Sequence, residues 1–264
     1  MDTKTIKDVV KNRYGSMAKE GGVSTNKGGC GCTPLNTKIS KDIGYDSKEL
    51  KSIPEEANLG LGCGNPLAFA SIKEGNTVID LGSGGGIDCF IASQKVGPGG
   101  KVIGIDMTSE MINKARENAL KGNYNNVEFI QGEIEELPLD NNTADIITSN
   151  CVINLSNEKQ KVFNEAFRVL KPGGKIIVSD IILTSKLPQK IIDSIDAYVG
   201  CIAGAVLKDE YLNYIEKAGF SNLEIKGESK LSAEYIKGFA DEFGITINEN
   251  TESPVVSIKI EATK

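Results

Sequence analysis

From residue 77 onward the apolar positions fall into two alternating textures. Short runs such as "TVIDLG" (77–82), "KVIGIDM" (101–107), "VEFIQG" (127–132) and "ADIITSN" (144–150) are rich in β-branched residues and read as strands. Between them, "IDCFIASQKV" (87–96), "SEMINKARENALKG" (109–122) and "EKQKVFNEAFRVL" (158–170) place apolar residues at helical spacing. "KPGGKIIVSDIIL" (171–183) turns into a fifth strand. Short apolar strands separated by helices of this length predict βαβ units and a parallel sheet. Further on, "KDEYLNYIEKA" (208–218) predicts a helix. "FSNLEIKGES" (220–229) and "PVVSIKIEAT" (254–263) alternate with period two and predict an antiparallel pair that closes the sheet.

The first 76 residues have a weaker pattern. Residues 4–14 predict a short amphipathic helix, and "GSMAKEGGVSTNKGGCGCTP" (15–34) reads as a mobile loop. Residues 47–57 are polar, with "SIPEEA" opening a helical turn. "NLGLGCGNP" (58–66) is a glycine-punctuated loop that carries Cys63. The expected organisation is an N-terminal helix and cysteine-containing loop over 1–57, then one α/β domain over 58–264.

Composition narrows the chemistry. The chain has 264 residues, 39% hydrophobic and 25% charged, enough to bury a full core. A net charge of −6 argues against nucleic acid or an anionic membrane as partner. No apolar run approaches the roughly 20 residues that span a bilayer, and "MDTKTIKDVVKNRYG" lacks a signal-peptide core. The expected location is the cytoplasm, where Cys30, Cys32, Cys63, Cys89, Cys151 and Cys201 would be thiols. Histidine is absent. That removes Ser-His triads and imidazole-held zinc, so the chemistry falls to thiols, carboxylates, tyrosines, lysines, arginines or a cofactor.

"VIDLGSGGGIDC" (78–89) is a strand, a glycine-rich turn and a helix start. Such a turn lets the backbone approach a ligand at a helix N-terminus. The spacing G-x-G-G-G differs from the G-x-G-x-x-G of dinucleotide folds, which disfavours a nicotinamide cofactor. Asp80, just before the turn, would repel a pyrophosphate and suits an amino group. Asp106 ends the second strand, where a carboxylate can accept both ribose hydroxyls.

With "IQGEIEELP" and "RVLKPGGKIIVSD", these motifs resemble the class I S-adenosylmethionine-dependent methyltransferases over Thr77 to Asp180. The resemblance implies a Rossmann-like fold with a mostly parallel seven-stranded sheet and helices on both faces. It also implies that Asp80, Gly82, Ser83, Gly84, Gly86, Asp106, Met107, Glu133, Ile134 and Asn150 bind S-adenosylmethionine.

Strand four should adjoin strand one, so Cys151 follows a strand end where ligands sit. Cys201 follows strand five, and a folded-over N-terminal segment would bring Cys63 to the same mouth. Three thiols without histidine select a thiophilic acceptor. "GLGCGNP", "SNCVINL" and "GCIAGA" together resemble the arsenite S-adenosylmethionine methyltransferases, from "RYG" at 13–15 to about Phe220. That resemblance implies arsenite or its thiol conjugates as substrate, with trivalent arsenic held by Cys63, Cys151 and Cys201 and no resident metal. It also implies a redox thiol in the N-terminal loop, either Cys30 or Cys32, reset by a glutathione- or thioredoxin-like reductant, and an N-terminal segment that caps the site. Cys89, beside Phe90 and Ile91, reads as a core residue. Two other classes share these motifs: a methyltransferase of a small organic acceptor such as a quinone, and a non-catalytic metalloid binder.

Overall fold

A computed structural model describes residues 3–22, 33–187, 189–192, 194, 197–198, 200–230 and 254–264. Its centre is a seven-stranded sheet of order β3-β2-β1-β4-β5-β7-β6. The strands are β1 Thr77–Leu81, β2 Lys101–Asp106, β3 Val127–Gln131, β4 Ala144–Asn150, β5 Leu170–Leu183, β6 Ser221–Lys230 and β7 Val255–Thr263. β1 to β5 pair in parallel, and β7 runs antiparallel between β5 and β6. The expected Rossmann-like sheet is therefore present, including its antiparallel closure.

Helices cover both faces. On one side α4 (Ile87–Val96) and α5 (Ser109–Gly122) bury Phe90, Ile112 and Ala115 against β1 and β2. On the other, α6 (Lys159–Val169) and α8 (Lys208–Lys217) bury Val162, Phe163, Tyr211 and Ile215 against β4, β5 and β7. Burial on both faces explains why β1 and β2 read as continuous apolar runs instead of alternating ones. A short helix, α7 (Gln189–Ile192), follows β5. Among the described residues no helix is long and apolar enough to cross a membrane.

The N-terminal region departs from the sequence expectation. α1 spans Thr3–Glu20, 18 residues that extend well past the predicted end at residue 14, and runs straight through Gly15. The glycine works there because α1 lies close on α5: a Cβ at Gly15 would stand 3.2 Å from the Glu110 carboxyl carbon. Val10 and Ala18, two turns apart, bury the inner stripe. Packing overrides the local helix penalty of about 1 kcal/mol for glycine. α2 (Thr33–Asp42) has no counterpart in the hydrophobic pattern. Its buried face holds Asn36 and Ser40, which donate to the Asn58 carbonyl oxygen at 3.0 Å and to Asn58 Oδ1 at 2.8 Å. A helix docked by polar groups leaves no apolar periodicity to read. α3 (Ser47–Lys51) is capped by Asp46 through a capping box, and a 3₁₀ turn at Glu55–Ala57 matches the predicted "SIPEEA" turn.

The strand order reverses between β1 and β4, which opens a crevice beyond their carboxyl ends. A cavity of about 1040 Å³ lies there. α1 and α2 line it from above through Lys7, Val10, Tyr14, Met17, Lys38 and Ile39.

Candidate active site

The cavity has two differently built walls. The first is formed by the β1–α4 turn and the end of β2, with Gly82, Ser83, Gly84, Asp80, Asp106, Met107 and Ile134 all on its surface. Gly82 has φ +69, and a Cβ there would meet Val152 Cγ2 at 2.5 Å, so only glycine lets the turn press on the segment after β4. Gly85, which the sequence reading passed over, also lines the cavity, whereas Gly86 caps α4 at φ 97 and is not on the surface. Asp106 is oriented by two backbone donors, Gly84 N at 3.0 Å and Thr108 N at 2.8 Å. The Thr108 hydroxyl adds a third donor, and the carboxylate's remaining acceptor capacity is available to a ligand. Ser83 is 4% exposed, and its hydroxyl has no protein partner. A buried orphan hydroxyl on a glycine cradle fits an absent polar ligand, since such groups are otherwise satisfied. Glu133 is not on the cavity surface; its carboxylate takes Lys7 at 2.6 Å and Lys11 at 3.4 Å and so tethers α1.

Beneath this wall lies a carboxylate pair. Asp80 accepts from Thr148 Oγ1 at 2.9 Å and from the Cys89 thiol at 3.6 Å. Burial, then the neighbouring charge of Asp88, pushes Asp80 well above the usual carboxylate range. Asp88 is pushed up to about 6 by burial, against the hydrogen bonds it receives from Tyr45 (2.7 Å) and Asn150 (3.3 Å). Cys89 is fully buried, matching its reading as a core residue.

The second wall carries the thiols. Cys63, Cys151 and Cys201 all reach the cavity and are free. Sγ of Cys63, Sγ of Cys151 and a carboxylate oxygen of Asp180 lie within 4.8 Å of one another. Cys201 Sγ donates to the Cys151 carbonyl oxygen at 2.9 Å, and the thiols are linked Cys63 to Cys151 and Cys151 to Cys201 by side-chain hydrogen bonds. Cys151 and Cys201 both sit in the left-handed region, at φ 59 and φ 63. That conformation is uncommon for residues with a Cβ and clusters at functional sites.

Distant segments hold these thiols in place. Asn150, at the end of β4, accepts from Cys63 N at 3.2 Å and donates to the Gly64 carbonyl at 2.7 Å. Its amide thus clamps the 58–66 loop to the sheet. Ser257 on β7 donates to the Cys63 carbonyl at 2.8 Å. Gly64 lies so near β5 that a Cβ would meet Ser179 Oγ at 2.0 Å. Cys201 is fixed by a turn in which its N–H donates to the Tyr198 carbonyl at 2.9 Å. Tyr14 of α1 hydrogen-bonds its sulfur.

The thiols are held in the neutral form. Burial raises Cys63. Cys201 is raised well above its ordinary range by donation to Cys151, then by burial. Cys151 is lowered by its bond from Cys201, but its bond to Cys63 and burial outweigh this and leave it well above the ordinary range. Behind them Asp180, wholly buried, accepts from Asn154 Nδ2, Ile181 N and Tyr211 Oη, each at 2.9 Å. Burial pushes its carboxyl up to about 6 despite these bonds. Lys159, 6% exposed, donates to the Ser156 carbonyl at 2.7 Å; burial lowers it to about 8, against the pull of Asp180 and Cys201.

The structure thus brings Cys63, Cys151 and Cys201 to one wall, while Cys30 and Cys32 lie outside the described residues. Asp180, Tyr14, Tyr45 and Lys159 escaped the sequence reading. An aspartate inside the apolar run "KIIVSDIIL" was the available signal, because a buried charge needs a reason.

Residues 72–219 match a family model described as a methyltransferase domain. An arsenite methyltransferase of Halobacterium salinarum is 43% identical over 243 residues, covering 89% of this chain and 62% of that protein. The arsenite methyltransferase of Homo sapiens is 36% identical over 230 residues, covering 83% and 59%. The chain therefore spans about three-fifths of the length of these relatives. The crystal structure of an arsenic(III) S-adenosylmethionine methyltransferase from Chlamydomonas reinhardtii superposes with a TM-score of 0.65 at 32% identity, covering 86% of this chain and 73% of that one.

Proposed function

Because the chain belongs to the methyltransferase-domain family, we propose that it is an arsenite methyltransferase, transferring methyl from S-adenosylmethionine to trivalent arsenic held by Cys63, Cys151 and Cys201. The observation that carries this reading is the convergence of three free thiols on the wall facing the glycine turn. The names of the relatives support the substrate.

Gly82 to Gly85 would take the cofactor's backbone-facing side, Asp106 its ribose hydroxyls, Ile134 its adenine and Ser83 a polar group. When bound, the cofactor supplies a methyl group on a positively charged sulfur that needs no further activation. Asp88, which loses its proton above about pH 6, lines the cavity and suits that charge, while the raised Asp80 beside it offers a polar acceptor.

On the other wall, arsenite exchanges three hydroxides for three thiolates. Each thiol proton leaves with a hydroxide as water, so the exchange needs no external base. Neutral, buried thiols suit it, because the wall need not bury thiolate charge before arsenic arrives. Three sulfurs make arsenic pyramidal, with its lone pair directed away from them. Held in line with a methyl donor, such a pair gains the roughly 7–11 kcal/mol that orientation can supply. Methyl transfer takes arsenic formally from +3 to +5. Two thiols closing a disulfide return the two electrons, and a glutathione- or thioredoxin-like reductant reopens it. Cys30 or Cys32 would serve that exchange, which places the reaction in a reducing cytoplasm.

An assay of the purified chain with S-adenosylmethionine, arsenite and a thiol reductant tests the reading. Methylated arsenic is expected. Its absence from protein that demonstrably binds the cofactor would point instead to an organic acceptor or to a binding protein.

A further inference from the structure

The thiol wall has a fourth donor that trivalent arsenic cannot use. Arsenic(III) with three sulfurs keeps a lone pair in the fourth position. Yet a carboxylate oxygen of Asp180 lies within 4.8 Å of both Cys63 Sγ and Cys151 Sγ. Asp180 Oδ1 accepts from Asn154 Nδ2 and Ile181 N, whereas Oδ2 accepts from Tyr211. The carboxylate is wholly buried and held by three donors, so its position is set before any ligand arrives.

Cys63 Sγ, Cys151 Sγ and the Asp180 oxygen form the compact cluster, and Cys201, whose thiol is hydrogen-bonded to Cys151, stands beside it as a fourth donor. Three sulfurs and one oxygen are the donor set of a soft, four-coordinate divalent ion. Zinc and its heavier congener cadmium prefer tetrahedral sites rich in thiolate and also accept carboxylate. Charge discriminates between the occupants. Arsenic(III) with three thiolates is neutral and needs no counter-charge. A divalent ion with three thiolates and a carboxylate carries −2, and the buried ammonium of Lys159, within electrostatic reach of Asp180 and Cys201, offsets part of it.

We propose that Cys63, Cys151, Cys201 and Asp180 form a second-use site for a soft divalent d10 ion, zinc or cadmium, which occupies the arsenic position as a dead-end ligand. Such an ion has no lone pair to present to a methyl donor. Its thiol and carboxyl protons pass to solvent on binding, so uptake releases protons. The proposal shares the thiol site of the proposed reaction, but it needs neither the cofactor nor arsenite to be tested.

The test uses the full chain and cadmium ion alone. Cadmium should bind with one equivalent at the thiols, and its X-ray absorption should report a shell of sulfur with one short oxygen. Asp180→Asn should remove that oxygen and weaken cadmium by at least about tenfold, a loss that even an outer-shell partner can carry. Preloaded cadmium should block arsenite uptake one for one. A cadmium shell of sulfur alone in the native chain would overturn the proposal, and this outcome needs no variant to fold. Arsenite loading that proceeds beside bound cadmium would overturn it too. Failure of both ions to bind would instead strike the arsenic reading as well, which separates the two failures.

Discussion

The two walls of the cavity are made in opposite ways. The heart of the glycine-turn wall is a local product: β1, the turn and α4 lie within 20 consecutive residues, Thr77 to Val96, and the end of β2 and Ile134 only complete it. The thiol wall is assembled from Cys63, Cys151 and Cys201, brought together only by the strand order and by clamps such as Asn150 and Ser257. The first wall works as a motif, whereas the second depends on the finished fold. Ligand binding on the first should therefore survive damage to the second.

The largest effect expected is on turnover. Cys151→Ser should lower arsenite methylation by about a hundredfold or more, the scale of a misplaced reactant. Cofactor affinity, measured by calorimetry with S-adenosylhomocysteine, should remain within about twofold. A matching loss of cofactor affinity would break the separation between the walls.

Next comes a pH effect on the first wall. Asp88 holds its proton up to about pH 6 in the folded chain, against an ordinary value of 3.8. A raised carboxyl pKa stabilises the fold fully below the ordinary value and loses that contribution as pH rises through 6. Relative to Asp88→Asn, which cannot titrate there, the native chain should lose up to about 3 kcal/mol between pH 4 and 7. Denaturant melts of both proteins across that range measure it, and parallel curves would refute it.

Asp106→Ala removes an acceptor pre-aimed by Gly84 and Thr108. Loss of charged hydrogen bonds worth about 1.5–3 kcal/mol should weaken cofactor binding roughly ten- to hundredfold. Arsenite uptake, read as loss of titratable thiols, should be unchanged.

The smallest effect concerns backbone strain. At φ 63, Cys201 pays for its place, and Cys201→Gly should be more stable than Cys201→Ala by about 1 kcal/mol, although it removes a methyl. Equal melting midpoints would show that the turn carries no strain.

The same contrast governs what could be read from the sequence. The sheet, α4, α5, α6 and α8 were legible because apolar period and glycine placement are local signals. Asp80, Gly82 and Asp106 came with them. Cys151 was legible as a strand-end residue, but its neighbours needed topology. α2 was invisible because Asn36 and Ser40, not leucines, bury its face. Gly15 concealed the last third of α1, since its use lies in the approach of α5. Asn150, expected against the cofactor, makes its hydrogen bonds to the Cys63 loop, Tyr45 and Asp88, and no property of the sequence alone distinguishes those roles. Asp180 was in plain view in an apolar strand, yet its meaning depends on two thiols 117 and 29 positions away.

The central claim is that three thiols from distant segments bind one arsenic atom. Arsenic X-ray absorption on the arsenite-loaded chain tests it most directly. The account predicts three sulfur neighbours and no oxygen in the native protein, with one sulfur lost in Cys63→Ser, Cys151→Ser or Cys201→Ser. A native shell containing oxygen, or a three-sulfur shell that persists when Cys151 is replaced, would contradict it.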